Sequence, residues 1–195
     1  MSDDQATNQQ DLSKTARWPY SPSEYARRLS WEFVQATLIR WSPRRAYGFR
    51  RAILRMFGAK IGRNASIRPT TRVTFPWLLT MGDHSIIADR VTVYNLGPIT
   101  IGSNTTISQN AHLCAGTHDH TKLDLPLIRA TITIGDGVWV CADAFIGPDV
   151  TVGDRSLVAA RAVVVRDVPP GMIVGGNPAK VLKEREITSN QDGTD

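Results

Sequence analysis

An all-β core, a parallel β-helix of hexapeptide repeats with a helical segment before it, is the fold class this sequence predicts, and three observations carry the prediction. Branched apolar residues recur every six positions. A small, polar or turn-forming residue follows many of them. The stretch before the repeat has a different composition and a helix-start signature. The repeat reads Ile61-Gly62, Ile67, Val73, Met81-Gly82, Ile87-Ala88, Val93, Ile101-Gly102, Ile107-Ser108 and Leu113-Cys114, then Ile134-Gly135, Val140-Cys141, Ile146-Gly147, Val152-Gly153, Val158-Ala159 and Val164. A short strand that points one apolar side chain inward and then turns makes one flat face of a triangular coil. Three hexapeptides close a coil, and stacked coils bury a continuous column of Ile, Val and Leu.

Taken in order, residues 1–16 are polar and read as a disordered tail. They have neither the basic start nor the apolar stretch of a signal peptide, and no later segment is long enough to span a bilayer, so a cytoplasmic protein is expected. Residues 17–58 read as helical. Ser21-Pro22-Ser23-Glu24 places a serine at the N-cap, a proline at the first helical position and a glutamate at the third, the reciprocal capping box. A second start is read at Ser42-Pro43 and a stop at Gly58. Trp31, Phe33, Leu38, Ile39 and Trp41 alternate here with Arg27, Arg28, Arg40, Arg44, Arg45, Arg50, Arg51 and Arg55, against only Glu24 and Glu32. Two compatible uses fit such a segment. One is a cap over the open sheet edge of the first coil, its arginines simply solvated. The other is a basic amphipathic surface resting on anionic lipid at the inner membrane face. No nucleic-acid-binding motif accompanies the charge, so nucleic acid is not an expected partner. Residues 59–183 form the β-helix, with an excursion loop at 119–131, and a short C-terminal tail or helix leads into a flexible tail at 184–195.

The six-residue register slips between Val73 and Met81, between Val93 and Ile101, and between Leu113 and Ile134. Chain that leaves a rigid coil can carry function while the coil holds its base. At the third slip Gly116-Thr117-His118-Asp119-His120 opens the excursion, and a histidine at that departure point suits a general base with a pKa near neutrality. Cys114 and Cys141 directly follow apolar anchors, where small residues are expected. Inert packing is their simplest reading, with nucleophile, disulfide and metal ligand as the alternatives.

Four motifs carry a family resemblance: Tyr94-Asn95-Leu96-Gly97-Pro98-Ile99-Thr100-Ile101-Gly102, Gly116-Thr117-His118-Asp119, Ile134-Gly135-Asp136-Gly137-Val138-Trp139-Val140, and Val174-Gly175-Gly176-Asn177-Pro178-Ala179-Lys180. In this order they resemble the hexapeptide-repeat acyltransferases of the maltose, galactoside and nodulation-factor O-acetyltransferase group. Within the group, the Arg/Trp-rich start ending in Phe57-Gly58-Ala59-Lys60-Ile61-Gly62 is most similar to the branch assigned to colanic acid and other exopolysaccharide biosynthesis. The resemblance spans about Gly58 to Lys183 and implies a left-handed helix, a homotrimer with sites between subunits, and acetyl-CoA as co-substrate. His118 corresponds to the family's catalytic base, and Asn95 to its acceptor-contacting asparagine. Asp119, His120 and Asp124 would line the acceptor loop, either carboxylate being a candidate to orient His118. Trp139 and the backbone at Ala142 and Ala160 match positions along the pantetheine arm. Arg166, Lys180 and Lys183 match basic positions near the adenosine phosphates. Ala142 departs from the frequent serine, so an oxyanion role there falls to its backbone N–H. Arg161 replaces a small residue, with phosphate binding or turn decoration as its two readings.

The function this implies is acetyl transfer to a sugar hydroxyl on an exopolysaccharide or surface-glycan precursor, free or lipid-linked. A small soluble acceptor such as a free sugar or an antibiotic is the alternative, and a non-catalytic trimeric scaffold is a third reading. A metal is not expected. The four histidines invite comparison with the γ-type carbonic anhydrases, but His118 and His120 are two apart while His84 and His112 lie in other turns, a spacing that does not supply a three-histidine site.

Overall fold

The computed structural model describes residues 21–188, so the tail read at 1–16 lies outside the described residues. Helix α1 (Pro22–Val34) opens on the capping box read from the sequence. Glu24 N–H donates to Ser21 Oγ at 3.3 Å, and Ser21 N–H donates back to Glu24 Oε2 at 2.9 Å. A π-helical turn (Gln35–Ile39) extends it. Helix α2 (Tyr47–Met56) starts at Tyr47 and not at the expected Ser42-Pro43. The Ser42 hydroxyl is used elsewhere: it donates to the Ile39 carbonyl at 2.6 Å and accepts from Arg50 at 2.8 Å, closing the first helix instead of opening the second. Gly58, at φ +95°, stops α2 as expected.

The coils follow as three strands each: β1 (Lys60–Ile61), β2 (Ser66–Ile67), β3 (Arg72–Val73); β4 (Leu79–Met81), β5 (Ile86–Ile87), β6 (Thr92–Tyr94); β7 (Ile99–Ile101), β8 (Thr106–Ile107), β9 (His112–Cys114). A hairpin, β10 (Gly116–His118) and β11 (Leu127–Arg129), then interrupts the stack. Two further coils are β12 (Ile132–Ile134), β13 (Trp139–Val140), β14 (Phe145–Ile146) and β15 (Thr151–Val152), β16 (Leu157–Val158), β17 (Val163–Val164). Corresponding strands pair in parallel as three faces: A holds β1, β4, β7, β12 and β15, B holds β2, β5, β8, β13 and β16, and C holds β3, β6, β9, β14 and β17. Every anchor of the hexapeptide pattern is buried in one column. The glycines after the face A anchors sit where successive coils nearly touch. A Cβ on Gly82 or Gly102 would lie 2.7 or 2.6 Å from backbone carbon of the coil above, so only glycine permits the stacking.

Both ends are finished by the chain itself. On the first coil, Arg55 donates to the Ile61 carbonyl on face A, Arg50 and Arg51 donate to those of Ile67 and Ala65 on face B, and Trp31 Nε1 donates to that of Val73 on face C. The Gln35 amide oxygen takes the Val73 N–H at 2.7 Å. The helical segment is thus the cap that was expected, but its arginines are not simply solvated. Arg50 is wholly buried and also donates to the Pro43 and Arg44 carbonyls, and burial pulls its pKa below the ordinary arginine value. Such a cap occupies edge groups of the first coil that another chain could otherwise pair with. At the far end the expected tail or helix is a strand. β18 (Met172–Gly176) continues face B, and β19 (Ala179–Glu184) folds back antiparallel onto it. The chain remains tied beyond 183, where Arg185 donates to the carbonyls of Gly137, Arg155 and Ser156.

Candidate active site

All three register slips open at one corner of the prism, where face C hands the chain to face A. Residues 74–78, 95–98 and 115–131 leave the coils there, one above another. They are laced together. Asn95 is fully buried, its amide oxygen accepting the Phe75 N–H at 2.8 Å and its amide nitrogen donating to the Phe75 carbonyl at 2.5 Å. Gly97 and Ala130 both donate to the Ala115 carbonyl at 3.1 Å, and Ile132 donates to that of Pro98 at 3.0 Å. A Cβ on Gly97 would collide with the Ala130 carbonyl oxygen, so the base of the third excursion is seated on a glycine. The lowest excursion stacks Phe75 on Trp77, with the Arg28 and Arg27 guanidiniums of α1 over the two rings.

The third excursion is not the wholly irregular loop expected at 119–131. β10 and β11 pair antiparallel, with His118 opposite Leu127. Asp119 closes the tip, accepting from the Thr121 hydroxyl at 2.6 Å and the Thr121 N–H at 3.1 Å, and Lys122 Nζ lies 3.6 Å away. These hydrogen bonds hold the Asp119 carboxyl below the usual carboxylate range. Of the two carboxylates that are candidates to orient His118, Asp119 is thus engaged with Thr121, and the Leu125 carbonyl lies 2.6 Å from His118 Nδ1. A carbonyl only accepts, so in the neutral ring Nδ1 carries the hydrogen and Nε2 keeps its lone pair. Leu125 adopts φ +43°, a left-handed conformation uncommon for a leucine, in presenting that carbonyl. His118 is exposed, so a neutral imidazole held in this way can take a proton at Nε2 from a group arriving from outside. His120 is exposed at the same tip, and Asp124 is partly buried there.

The residues matched to acetyl-CoA lie elsewhere. Trp139 sits on face B, 45% exposed, its Nε1 donating to the Ser108 hydroxyl at 2.9 Å. Ala142 and Ala160 occupy the next corner, between faces B and C, in successive coils. The Ala142 carbonyl accepts from the Arg161 N–H at 3.0 Å. Arg161, at φ +60°, is the left-handed residue of that turn, the same turn place held by Asn110 and Asp143 in the coils before. Lys180 and Lys183 are exposed on β19 beside face B, and Arg166 is exposed at the corner of His118, two coils on. In a triangular prism the corner between C and A points away from face B. One chain therefore does not bring His118 and Trp139 together. Asn95, matched to acceptor contact, is buried, and its bonds to the Phe75 backbone tie the second excursion to the first.

Two features were not foreseen. Leu125 acts through its carbonyl, which any residue type would supply, so no side-chain signal marks it. His112, outward on face C, packs edge-on between Tyr94 and Phe145 at 6.4 and 5.5 Å, with Nε2 enclosed and unpartnered among the described residues. Burial lowers its pKa. Burial also pushes the Cys141 thiol up, away from the reactive thiolate, in keeping with inert packing.

Residues 131–166 match the family model for the bacterial transferase hexapeptide, six repeats. The protein of Escherichia coli (strain K12) named for colanic acid biosynthesis as acetyltransferase WcaF is 45% identical over 158 residues, 81% of this chain and 87% of that one. The galactoside O-acetyltransferase of the same organism is 28% identical over 69% of this chain and 68% of its own length. Among solved structures, the hexapeptide-repeat acetyltransferase VCA0836 of Vibrio cholerae O1 biovar eltor, crystallised with acetyl coenzyme A, superposes with a TM-score of 0.79 at 29% identity, covering 90% of this chain and 96% of that one. With its capped five-coil prism, its histidine-bearing corner and these relatives along most of its length, the chain belongs to the hexapeptide-repeat acetyltransferase family.

Proposed function

We propose that this protein is an acetyl-CoA-dependent O-acetyltransferase that modifies a sugar hydroxyl on an exopolysaccharide or surface-glycan precursor, with His118 as general base. The observation that carries the reading is the His118 Nδ1 to Leu125 carbonyl hydrogen bond, which leaves Nε2 able to accept a proton. In the reaction, Nε2 takes the proton of the acceptor hydroxyl as its oxygen attacks the thioester carbonyl. The tetrahedral species then collapses by breaking the C–S bond, and the imidazolium returns the proton to the departing thiolate. The products are the O-acetyl ester and CoA, and no covalent enzyme intermediate is needed. The Ala142 N–H is the donor assigned to the developing oxyanion. Because the His118 corner and face B of one chain point apart, His118 of one protomer works against Trp139, Lys180 and Lys183 of the next, and the unit of activity is a homotrimer.

His118→Ala should lower kcat by about a hundredfold to ten-thousandfold while CoA binding and oligomeric state stay as they are. Turnover retained by that variant would sink the assignment. Contact with a membrane from the cytoplasmic side belongs to the same proposal. No helix among the described residues is long and apolar enough to cross a bilayer, but Leu29, Phe33 and Trp41 of the cap segment are exposed, Trp41 at 83%, and the same segment carries the exposed Arg45. Failure to float with anionic vesicles at moderate salt removes that part and leaves the chemistry standing.

A further inference from the structure

A groove of about 820 Å³ separates the cap from face C of the first two coils. Glu32 and Arg40 line it from α1 and the residue after the π-helical turn, Arg72 and Thr74 from the first coil, and Thr92 and Tyr94 from the second. We propose that this groove binds the sugars of an oligosaccharide acceptor that lie beyond the one being acetylated, and that it favours a chain carrying acidic sugars. The proposal rests on the acetyl-transfer reading above and names the class of acceptor.

Three observations converge on it. The first is position. Thr74 and Tyr94 stand at the end of face C next to the excursion corner, and Tyr94 is in register with Cys114. From Cys114 to His118 is four residues, a span of at most about 14 Å even if fully extended. The mouth of the groove and the base are therefore within reach of one short saccharide, whereas a monosaccharide at His118 would leave the groove unused. The second is chemistry. The threonine hydroxyls both donate and accept, as sugar hydroxyls do, and Tyr94 adds a partly exposed ring with a polar tip. Arg40 and Arg72 outnumber Glu32, and a guanidinium suits the two oxygens of a carboxylate. The third is construction. The cap is fixed to the first coil at this place, with Trp31 and Gln35 both bonded to Val73, so the groove has a rigid wall before any ligand arrives.

The test uses the purified full-length protein, with tetragalacturonate and maltotetraose as probes and their monosaccharides as references. Binding is measured by calorimetry, and kcat/KM with acetyl-CoA. Each tetrasaccharide should bind at least tenfold more tightly than its monosaccharide, tetragalacturonate the more tightly of the two. In Arg40→Ala/Arg72→Ala the tetragalacturonate advantage should fall about tenfold, and the ratio of its kcat/KM to that of the monosaccharide should fall with it. Tetrasaccharides that bind no better than monosaccharides, or a double variant with the wild-type advantage, would overturn the groove. Tetrasaccharide binding that depends on the arginines without any acetyl transfer would uphold the groove and count against the reaction instead.

Discussion

The imidazole of His118 is oriented by the Leu125 carbonyl, so its tautomer depends on the path of the hairpin and not on a neighbouring carboxylate. Its candidacy was legible in the sequence because it stands where the repeat breaks. The identity of its partner was not, because backbone carbonyls leave no trace in residue type. Asn95 shows the opposite limit. An amide suits a sugar hydroxyl and a strand edge equally, and only the fold shows that Phe75 occupies both of its groups. His112 carries a prediction of its own. Its folded pKa lies below the ordinary 6.5, so as pH falls the unfolded chain takes up the proton first. The stability contributed by the neutral ring is full above that value and is lost as pH drops through it toward the lower folded pKa. Thermal melts should therefore show a smaller loss of Tm between about pH 7.5 and about pH 5 in His112→Phe than in the unaltered protein. An equal loss would mean that the ring titrates alike folded and unfolded.

Among the elements, the hairpin β10–β11 is the one whose seating decides where His118 stands. Its base rests on Gly97, and a methyl group there meets the backbone oxygen of Ala130, which has no rotamer by which to yield. Gly97→Ala should displace the hairpin and lower kcat by about a hundredfold, the cost of roughly an ångström of misplacement. Circular dichroism should still report an intact β-helix, since the coils themselves are untouched, and an unchanged kcat would show that the hairpin is positioned by something else. The strands were readable from the sequence because one buried anchor per hexapeptide is a strong period. The common corner of the three excursions was readable too, by counting anchors in threes, since Val73, Val93 and Leu113 are each the third anchor of a coil. The false start at Ser42-Pro43 was not avoidable in this way. A serine before a proline caps a helix in the absence of a competing partner, and here Arg50, eight residues on, supplies the competitor.

For the whole molecule, the triangular section turns a local question into one of assembly. If base and CoA wall come from different protomers, His118→Ala and Trp139→Ala proteins, each impaired alone, should complement when co-refolded. Random mixing into trimers would restore about a quarter of the sites. No recovery would mean that both groups serve the same site from one chain. The same section also separates what must stay constant from what is free to vary. The corner between faces A and B and the corner between B and C are tight turns locked by glycine stacking and left-handed residues, where an added residue would throw every later anchor out of register. The remaining corner already carries three insertions of different length with the core column unbroken, and longer loops there cost little closure entropy. Descent can therefore lengthen, shorten or exchange the segments at that one edge and so try new acceptors. The stacked coils beneath that edge are left as they are, and substrate range in such a lineage should drift faster than its chemistry.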